Sequence, residues 1–332
     1  MELNLPRQRT LAVLLAFLIG SGAALRAAAE ETHYAAALQN HVFAGSKQDG
    51  YTNGLFFTQV RTASAGADGV EPTALLKPVL GWLGVSRSTL AAASLRQIMI
   101  TPRELERSVP APTDTPYAGA LVFRSTHVKV QGETADMLAL DLGVTGPASG
   151  AEKVQRWIHN TNDATKPQGW DTQGPTRVLV GIEGYRAWRS PLGGSAGAAN
   201  ADFVALAGGV LGNRESWLGG TLLLRYGTDL AGSFPSLARV SGRTSDPFVR
   251  GDGWFAFAGL SADRRLGNRG LGSDARNHSI ELRKSQVFPM LGIAYGWGNA
   301  SLTFSLHGGT PLIESVENRQ NYGSITYTWR GD

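Results

Sequence analysis

The chain has 332 residues, of which 42 are glycine, 17% are charged and none is cysteine. The glycine share is about twice the usual value, and the lack of cysteine excludes disulfides, thiolate nucleophiles and cysteine metal sites. The formal net charge is only +4, and no basic cluster indicates a nucleic-acid partner. The hydrophobic content of 42% is too high for a disordered chain, yet it is dispersed, because only residues 11–25 approach the length of a membrane-spanning helix.

The first 29 residues have the three parts of a secretory signal peptide. Two arginines precede an apolar centre at residues 11–25, and three alanines at residues 27–29 form a cleavage site of small residues. A buried core helix is the alternative, and the charged and small flanking residues disfavour it. We therefore expect residues 1–29 to be removed on export.

The rest of the chain has a period of two residues, in which successive side chains face opposite sides, as is typical of strands. In residues 138–144, for example, the leucine and valine side chains share one side, while alanine, aspartate and glycine share the other. Twelve segments are predicted to be strands: 54–61, 95–100, 118–128, 138–144, 177–188, 203–211, 218–227, 253–263, 277–287, 290–297, 301–307 and 324–329.

The side opposite the apolar one is small or polar, which bears on two all-β architectures. A soluble sandwich packs its apolar faces together inside, whereas a transmembrane barrel turns apolar side chains to lipid and polar or small ones to its interior. Alternation alone leaves both open. The signal peptide and the aromatic residues near strand ends favour the barrel; these are Trp188, Tyr226, Trp254, Trp297 and Trp329. We therefore expect residues 30–332 to form an antiparallel outer-membrane barrel of about twelve strands.

One segment breaks this period and is predicted to be a helix from Ser149 to about Asn162. Ser149 and Glu152 have the spacing of a capping box, which predicts Ser149 as the N-cap. One predicted face holds Val154, Trp157 and Ile158, and the polar face holds Glu152, Gln155, Arg156 and His159. A histidine can take a proton from water near neutral pH. The alternative is a histidine that only makes structural hydrogen bonds near the end of a helix.

Several blocks resemble, in the same order along the chain, the lipid A 3-O-deacylase family of outer-membrane barrels. They are Asn40 with Val42 and Phe43, residues 49–55, residues 114–119, residues 141–147, Val154 with Gln155 and His159, residues 169–173, and the ending with Thr310, Glu314 and residues 322–324. In the third block Thr115 stands where the family has arginine. The likeness covers nearly all of residues 34–329, and this many blocks in the right order are hard to obtain by chance.

The resemblance implies a twelve-stranded barrel in the bacterial outer membrane, with an active site between the wall and a short helix near the outer leaflet. It implies a monomeric esterase that lies among membrane lipids and hydrolyses the 3-linked acyl chain of lipid A in lipopolysaccharide. A divalent cation, usually calcium, takes part. The resemblance places the general base at His159 and further catalytic residues at Asn40 and Thr52, and it aligns the metal-binding pair of the family with Asn40 and His41.

Two positions depart from the family pattern: His41 stands in place of aspartate, and Thr165 in place of an acidic residue six positions after the histidine. Calcium binds oxygen ligands, whereas imidazole suits transition metals. Three accounts follow. The cation is held by Asn40, backbone carbonyls and another acid such as Asp49; or a different metal is bound partly by His41; or catalysis is lost or altered, which leaves a structural or lipid-binding barrel.

Basic side chains could bind the phosphates of lipid A, because a guanidinium pairs with phosphate in a bidentate manner. The candidates are Arg107, Arg124, Lys129 and Arg156, and each is equally well a solvated surface charge. Arg107 also matches, loosely, a basic residue of the family. A general diffusion porin is a further alternative, which the low charge and the internal helix disfavour.

Overall fold

In a computed structural model, the structure describes residues 30–45, 53–64, 67–161, 165–193, 199–239, 246–267, 270, 275, 281–311, 313–314 and 321–331. The predicted signal peptide, Asp49 and Thr52 lie outside the described residues. The described part forms a closed antiparallel barrel of twelve strands, which confirms the predicted class. The strands are β1 (Glu30–Asn40), β2 (Asn53–Ala63), β3 (Leu90–Ile100), β4 (Ala118–Gln131), β5 (Thr134–Thr145), β6 (Arg177–Pro191), β7 (Asn200–Gly212), β8 (Trp217–Gly227), β9 (Gly253–Arg265), β10 (Ser285–Trp297), β11 (Ala300–His307) and β12 (Tyr322–Arg330).

Short helices lie in the connections between strands. They are α1 (Lys77–Trp82), α2 (Ala151–Thr161) and α3 (Phe234–Leu237), with 3-10 turns at His41–Ala44, Gly146–Ser149 and Trp170–Thr172. Among the described residues, no helix combines the length and the apolar character needed to cross a membrane.

Each strand pairs with its neighbours in the chain, and β1 closes the barrel by pairing with β12. Closure matters because the hydrocarbon core offers no water to satisfy the edge of an open sheet. Strands of 11 residues are common here. At about 3.3 Å per residue and a tilt of about 40°, such a strand spans about 28 Å, which matches the hydrocarbon thickness of a bilayer.

Two predictions about strands were wrong, and they compensate in the count. β1 was not predicted, because its alternation involves mainly alanine. The segments 277–287 and 290–297 were predicted as two strands, whereas β10 is one strand over Ser285–Trp297 and residues 277–280 lie outside the described part. Pro289 interrupts the pattern but fits the strand. Its carbonyl oxygen accepts a hydrogen bond from Gly308 N, directly after the last residue of β11. The missing N–H of a proline is tolerated where the pairing with a neighbouring strand ends.

The two ends of the barrel can be assigned from turn length. The two-residue turns between β4 and β5 and between β10 and β11 lie at the end where β1 starts, and outer-membrane barrels place their short turns on the periplasmic side. Outward-facing aromatic residues form a belt at this end, including Tyr34, Tyr226, Trp254, Trp297 and Trp329. The other end, which carries α2, is extracellular.

The alternation has its apolar side outward. In β8, Leu222 and Leu224 are 52% and 53% exposed, while Leu223 between them is 1% exposed and belongs to the interior cluster. Inward-facing charges occur as pairs: Arg124 donates to Asp141 at 2.6 Å and to Glu183 at 2.5 Å. The lipid-facing surface is therefore the apolar one, as the sequence pattern predicts for a barrel.

The connection between β8 and β9 folds back into the barrel from the periplasmic end. Its side chains Leu230, Phe234, Leu237 and Phe248 are buried in one cluster with inward-facing residues of the wall. Asp246 fixes this inserted segment, because its carboxylate accepts from Ser305 at 2.8 Å, Ser324 at 2.5 Å and Thr326 at 2.6 Å. The described part of this connection fills the lumen on the periplasmic side.

Replacing Asp246 by asparagine should destabilise the barrel by about 3 kcal/mol, because a buried charged acceptor shared by three hydroxyl groups is lost. The measurement is urea unfolding of the refolded protein in detergent micelles. Asp252→Asn serves as the control, since this exposed carboxylate accepts one hydrogen bond, from Gly298 N. Equal stability of the Asp246 variant and the wild type would show that the inserted segment is held by other contacts.

Candidate active site between the wall and helix α2

Helix α2 lies on the outer surface of the barrel, at the extracellular end of β4. Gly119 faces outward in β4, because Arg124, an odd number of residues away, faces the lumen. A Cβ on Gly119 would overlap the Ala151 Cβ and lie 2.5 Å from Ser149 Oγ. The absence of a side chain at Gly119 thus allows the start of the helix to contact the wall directly.

The start of the helix differs from the prediction. The helix begins at Ala151, while Ser149 ends a 3-10 turn and donates to Gly146 O at 2.6 Å. Instead of closing a capping box, Glu152 pairs with Arg156 at 2.8 Å. The buried residues of α2 are Ala151, Gln155 and His159, flanked by the partly buried Val154 and Ile158, whereas Trp157 is 66% exposed.

The imidazole of His159 is held by a backbone carbonyl. His159 is buried, and its Nδ1 lies 2.5 Å from the carbonyl oxygen of Thr165. Because a carbonyl only accepts hydrogen bonds, Nδ1 carries the proton and Nε2 of the neutral ring keeps its lone pair. Thr165, one of the two departures from the family pattern, thus holds the imidazole through its main chain and not through its side chain.

Gln155 lies one helical turn before His159 on the same buried face, and its importance was missed in the sequence. Trp170 Nε1 donates to Gln155 Oε1 at 2.7 Å, which fixes the orientation of the amide. The Gln155 Nε2 group is buried, and none of the described residues accepts a hydrogen bond from it. The site thus contains an oriented amide group, that of Gln155, whose Nε2 has no acceptor among the described residues. The sequence signal for Gln155 was its spacing of four residues from His159, which places both side chains on one face of a helix.

Trp170 is itself fixed by packing against Tyr117. Their rings lie 5.0 Å apart, and both side chains belong to a buried cluster with Met99, Leu105 and Ala151. Burial raises the pKa of the Tyr117 hydroxyl above its ordinary value, so the hydroxyl stays protonated and donates to Leu105 O at 3.3 Å. The cluster positions both α2 and the segment that follows it.

Asn40 lies at the extracellular end of β1, on the same outer surface as α2. Its Oδ1 accepts from Val42 N at 2.8 Å and caps the 3-10 turn, and its Nδ2 donates to Asn53 Oδ1. One N–H of the Asn40 amide is left for another partner. His41, directly after Asn40, is buried in the same turn.

The strand register connects Asn40 to the helix. Asn40 pairs with Asn53, Asn53 with Met99, and Met99 with Gly119, on four neighbouring strands. At about 4.8 Å per strand this row is about 14 Å long. Met99 contacts the cluster beneath α2, so the row runs from the amide pair to the start of the helix. Thr52 immediately precedes this row and lies outside the described residues, so its assignment stays a prediction.

The described residues near Asn40 do not fit a calcium site. Calcium takes six to eight oxygen ligands, usually including carboxylates. Here the two amide oxygens of Asn40 and Asn53 already accept hydrogen bonds, and His41 offers nitrogen. Throughout the described part of the chain, no group of three histidine, cysteine or acidic side chains is close enough to hold a metal ion.

The four basic candidates for phosphate binding separate by position. Arg124 is wrong as a lipid-facing candidate, because it is buried in the lumen between Asp141 and Glu183. Lys129 lies near the periplasmic end of β4, opposite the site. Arg107 and Arg156 lie at the extracellular end, with side chains 54% and 57% exposed, and both pair with a neighbouring glutamate.

Replacing Trp170 by phenylalanine should lower the rate of the expected ester hydrolysis about ten-fold while the barrel stays folded. The ring contact with Tyr117 stays, but Gln155 loses the donor that orients its amide, and stability should fall by about 1–3 kcal/mol because Gln155 Oε1 stays buried without this partner. Steady-state kinetics on lipid A measure the effect. Trp157→Phe is the matched control on the exposed face of the same helix and should retain full activity. Equal rates for both variants would contradict a role for the Trp170 hydrogen bond.

Comparison with known proteins gives one family and a set of barrels. The family model described as outer membrane protein LpxR matches residues 11–331. The solved structure of LpxR from Salmonella typhimurium has 17% sequence identity and a TM-score of 0.71, over 90% of this chain and 99% of that one. The KdgM porin has 6% identity and a TM-score of 0.38, over 91% of this chain and 99% of that one.

A third barrel is the translocator domain of the autotransporter NalP from Neisseria meningitidis. It has 8% identity and a TM-score of 0.38, over 97% of this chain and 95% of that one. A search of curated protein sequences found no match. The family match spans almost the whole sequence, and the fold shared with the Salmonella protein is the closed barrel. The chain therefore belongs to the LpxR family of outer membrane proteins.

Proposed function

We propose that this outer-membrane protein is an esterase that hydrolyses the 3-linked acyl chain of lipid A in lipopolysaccharide. The family membership supports the substrate class, and the orientation of His159 is the observation that carries the chemistry. With Nδ1 donating to the Thr165 carbonyl, Nε2 is available to accept a proton. A base with this orientation is what ester hydrolysis by water needs.

In the proposed reaction, His159 Nε2 takes a proton from a water molecule while the water oxygen attacks the acyl carbonyl carbon. A tetrahedral intermediate with a negative oxygen forms. The C–O bond to the sugar then breaks, and the protonated imidazole returns its proton to the sugar oxygen. The products are a free fatty acid and the 3-hydroxyl group of the sugar, so that one water molecule is consumed per acyl chain.

The negative oxygen needs hydrogen-bond donors that are oriented before the reaction. Gln155 Nε2 is buried without a partner among the described residues, beside the base on the same helix face. The free N–H of Asn40 is a second donor at the far end of the row of outward residues. We assign the main donor to the negative oxygen to Gln155, because Gln155 is one helical turn from His159.

The location of the site suits a lipid substrate. The site lies on the outer surface at the extracellular end, where the acyl chains of the outer leaflet contact the wall. A substrate can therefore reach it sideways from the bilayer. Because the described donors do not fit calcium, the proposed steps use side chains alone. We also propose that the protein acts as a monomer.

Mass spectrometry of lipid A from cells with and without the protein tests this function. The expected result is loss of one 3-linked acyl chain, which disappears in the His159→Ala variant. An unchanged lipid A profile at high expression would contradict the proposal and favour a structural or lipid-binding barrel. The variant His41→Asp, assayed with calcium and with a chelator, shows whether a carboxylate beside Asn40 adds a calcium-dependent rate.

A further inference from the structure

The connection between β2 and β3 folds back along the outside of the barrel wall. It leaves β2 and enters β3 at the periplasmic end. From there, the Thr73 hydroxyl makes a hydrogen bond with the hydroxyl of Ser125, and Ser88 Oγ lies 2.5 Å from His127 Nδ1. Ser125 and His127 are at outward positions of β4, which alternate with the lumen-facing ones. Residues 70–88, termed here the outer hairpin, therefore lie on the lipid-facing side of the wall.

The outer hairpin covers a part of the wall that would otherwise face lipid. Ser125 and His127 are 0% and 4% exposed, whereas Ile182, at an outward position in the same register row as Ser125, is 40% exposed. Ser125 is six residues from the end of β4 at Gln131. At about 3.3 Å per residue and a tilt of about 40°, this is about 15 Å above the periplasmic end, or about half of the hydrocarbon thickness. The outer hairpin thus extends along the wall through the periplasmic leaflet.

The surface that the outer hairpin turns away from the protein is apolar. Leu76 and Leu80 are 0% and 2% exposed and face the protein, whereas Trp82 is 85% exposed and Leu83 is 54% exposed. Among the described residues, no large apolar side chain is more exposed than that of Trp82. Such exposure is unfavourable in water and favourable in hydrocarbon, and tryptophan is enriched where membrane proteins meet the lipid boundary.

The charged groups of the outer hairpin are few, and each has a partner. Its three charged residues are Glu71, Lys77 and Arg87. Lys77 Nζ lies 3.3 Å from Glu71 Oε2, and Arg87 Nη1 donates to Gly69 O at 3.3 Å. From the wall, Arg61 Nη2 donates to Glu71 O at 2.7 Å. Charged side chains near lipid need such partners, and a long lysine side chain can also reach toward the headgroups.

The backbone of the outer hairpin bonds largely to itself, as lipid surroundings require. Val70 and Ser88 exchange two hydrogen bonds of 2.8 Å at its base. Around α1, further N–H groups donate to carbonyl oxygens of the hairpin; they belong to Leu76, Lys77, Leu80, Leu83, Gly84 and Val85. Pro72 and Pro78 have no N–H that needs a partner. An apolar exterior, paired charges and an internally bonded backbone are together typical of a segment that lies in a membrane.

We propose that the outer hairpin is embedded in the periplasmic leaflet of the outer membrane, where Trp82 and Leu83 bind the hydrocarbon chains of its lipids. Water and a periplasmic protein are the other candidate neighbours. The position against the outer wall favours lipid, because β2 beside it has the outward-facing Phe57, which is 56% exposed. This contact is independent of the hydrolysis proposed at the extracellular end of the same wall.

Quenching of tryptophan fluorescence by brominated lipid tests this inference. The refolded full chain is placed in vesicles of a phosphatidylcholine with bromine in the middle of its acyl chains, and in vesicles of the same lipid without bromine. The chain has 8 tryptophans, so the emission of Trp82 is the difference between the wild type and Trp82→Phe. We expect this emission to lose at least half of its intensity in the brominated vesicles. Acrylamide in the surrounding water should quench it only weakly.

Two further variants calibrate the measurement. Trp297 faces outward in the aromatic belt and is 42% exposed, so the emission that Trp297→Phe removes should also be quenched by brominated lipid. Trp170 is 1% exposed, and the emission that Trp170→Phe removes should be quenched less than either. Heat-modifiability on gels shows that each variant is folded.

Two results would overturn the proposal. Strong quenching of Trp82 emission by acrylamide, without loss in brominated vesicles, would place the outer hairpin in water. Quenching by neither agent would show that Trp82 is covered by the protein itself and does not contact lipid.

Discussion

Replacing His159 by alanine should reduce the rate of lipid A deacylation at least 100-fold, because general base catalysis contributes about 10² to 10⁴ in rate. The loss should lie in kcat, since the imidazole transfers protons during the reaction and is not proposed to bind the substrate in the ground state. Purified protein in detergent micelles, assayed for released fatty acid, gives both kcat and KM. The barrel should stay folded, because α2 lies outside the wall. Even a displacement of α2 from the wall would leave all twelve strand pairings intact.

The control is the neighbouring residue on the same helix. Asn160 is exposed, so Asn160→Ala should retain the wild-type rate. A His159→Ala variant with more than a tenth of the wild-type kcat would exclude His159 as the base. Activity would then have to come from another group, and Thr52 and Asn40 would be the next residues to test.

Replacing Gly119 by valine should lower activity about 100-fold while the barrel still folds. The new side chain would overlap the Ala151 Cβ and Ser149 Oγ, so the start of α2 must move away from the wall. A displacement of about 1 Å at a catalytic group can cost about 100-fold in rate. Lipid A kinetics and heat-modifiability on gels measure the activity and the folding of the same sample.

Gly184 provides a matched control for this change. It also lies in a strand and faces outward, but a Cβ there meets only Met137 O, at an ordinary 3.9 Å. Gly184→Val should therefore keep nearly full activity. If Gly119→Val were equally active, the direct contact between helix and wall would have no part in positioning His159.

The fold was predictable from alternation because a barrel wall forces it. Every second residue of β8 and β11 faces lipid, and this pattern needs only the local sequence. β1 was missed because alanine on both faces weakens the contrast, and β10 was divided because Pro289 interrupts the apolar side. These two errors cancelled, so the count of twelve agreed with the structure for a partly accidental reason.

The inserted β8–β9 connection could not be predicted in the same way. Phe234, Leu237 and Phe248 have neither the period of a strand nor that of a long helix, and what they share is burial against distant strands. Asp246 contacts hydroxyls that lie 59 to 80 positions away in the chain. Such contacts depend on the closed barrel and have no local sequence signal.

The site was predictable in part. His159 was singled out through the resemblance, and the structure places it on the buried face of α2; its role as the base is a proposal. The burial of the helix faces could not be read from the apolar spacing, because α2 buries Gln155 and His159 and leaves Trp157 exposed. A hydrogen bond that a backbone carbonyl accepts, such as that of Thr165, cannot be predicted from side-chain identities.

Hydrolysis in water enriched in ¹⁸O tests the central claim most directly. If His159 activates water for attack on the acyl carbonyl, purified protein and lipid A should yield a free fatty acid that carries one ¹⁸O atom, while the deacylated lipid A carries none. Label in the sugar hydroxyl would contradict this mechanism, because water would then have attacked the sugar carbon. Transfer of the acyl chain to another lipid without label, or no release of fatty acid at all, would contradict the claim that the protein is a hydrolase.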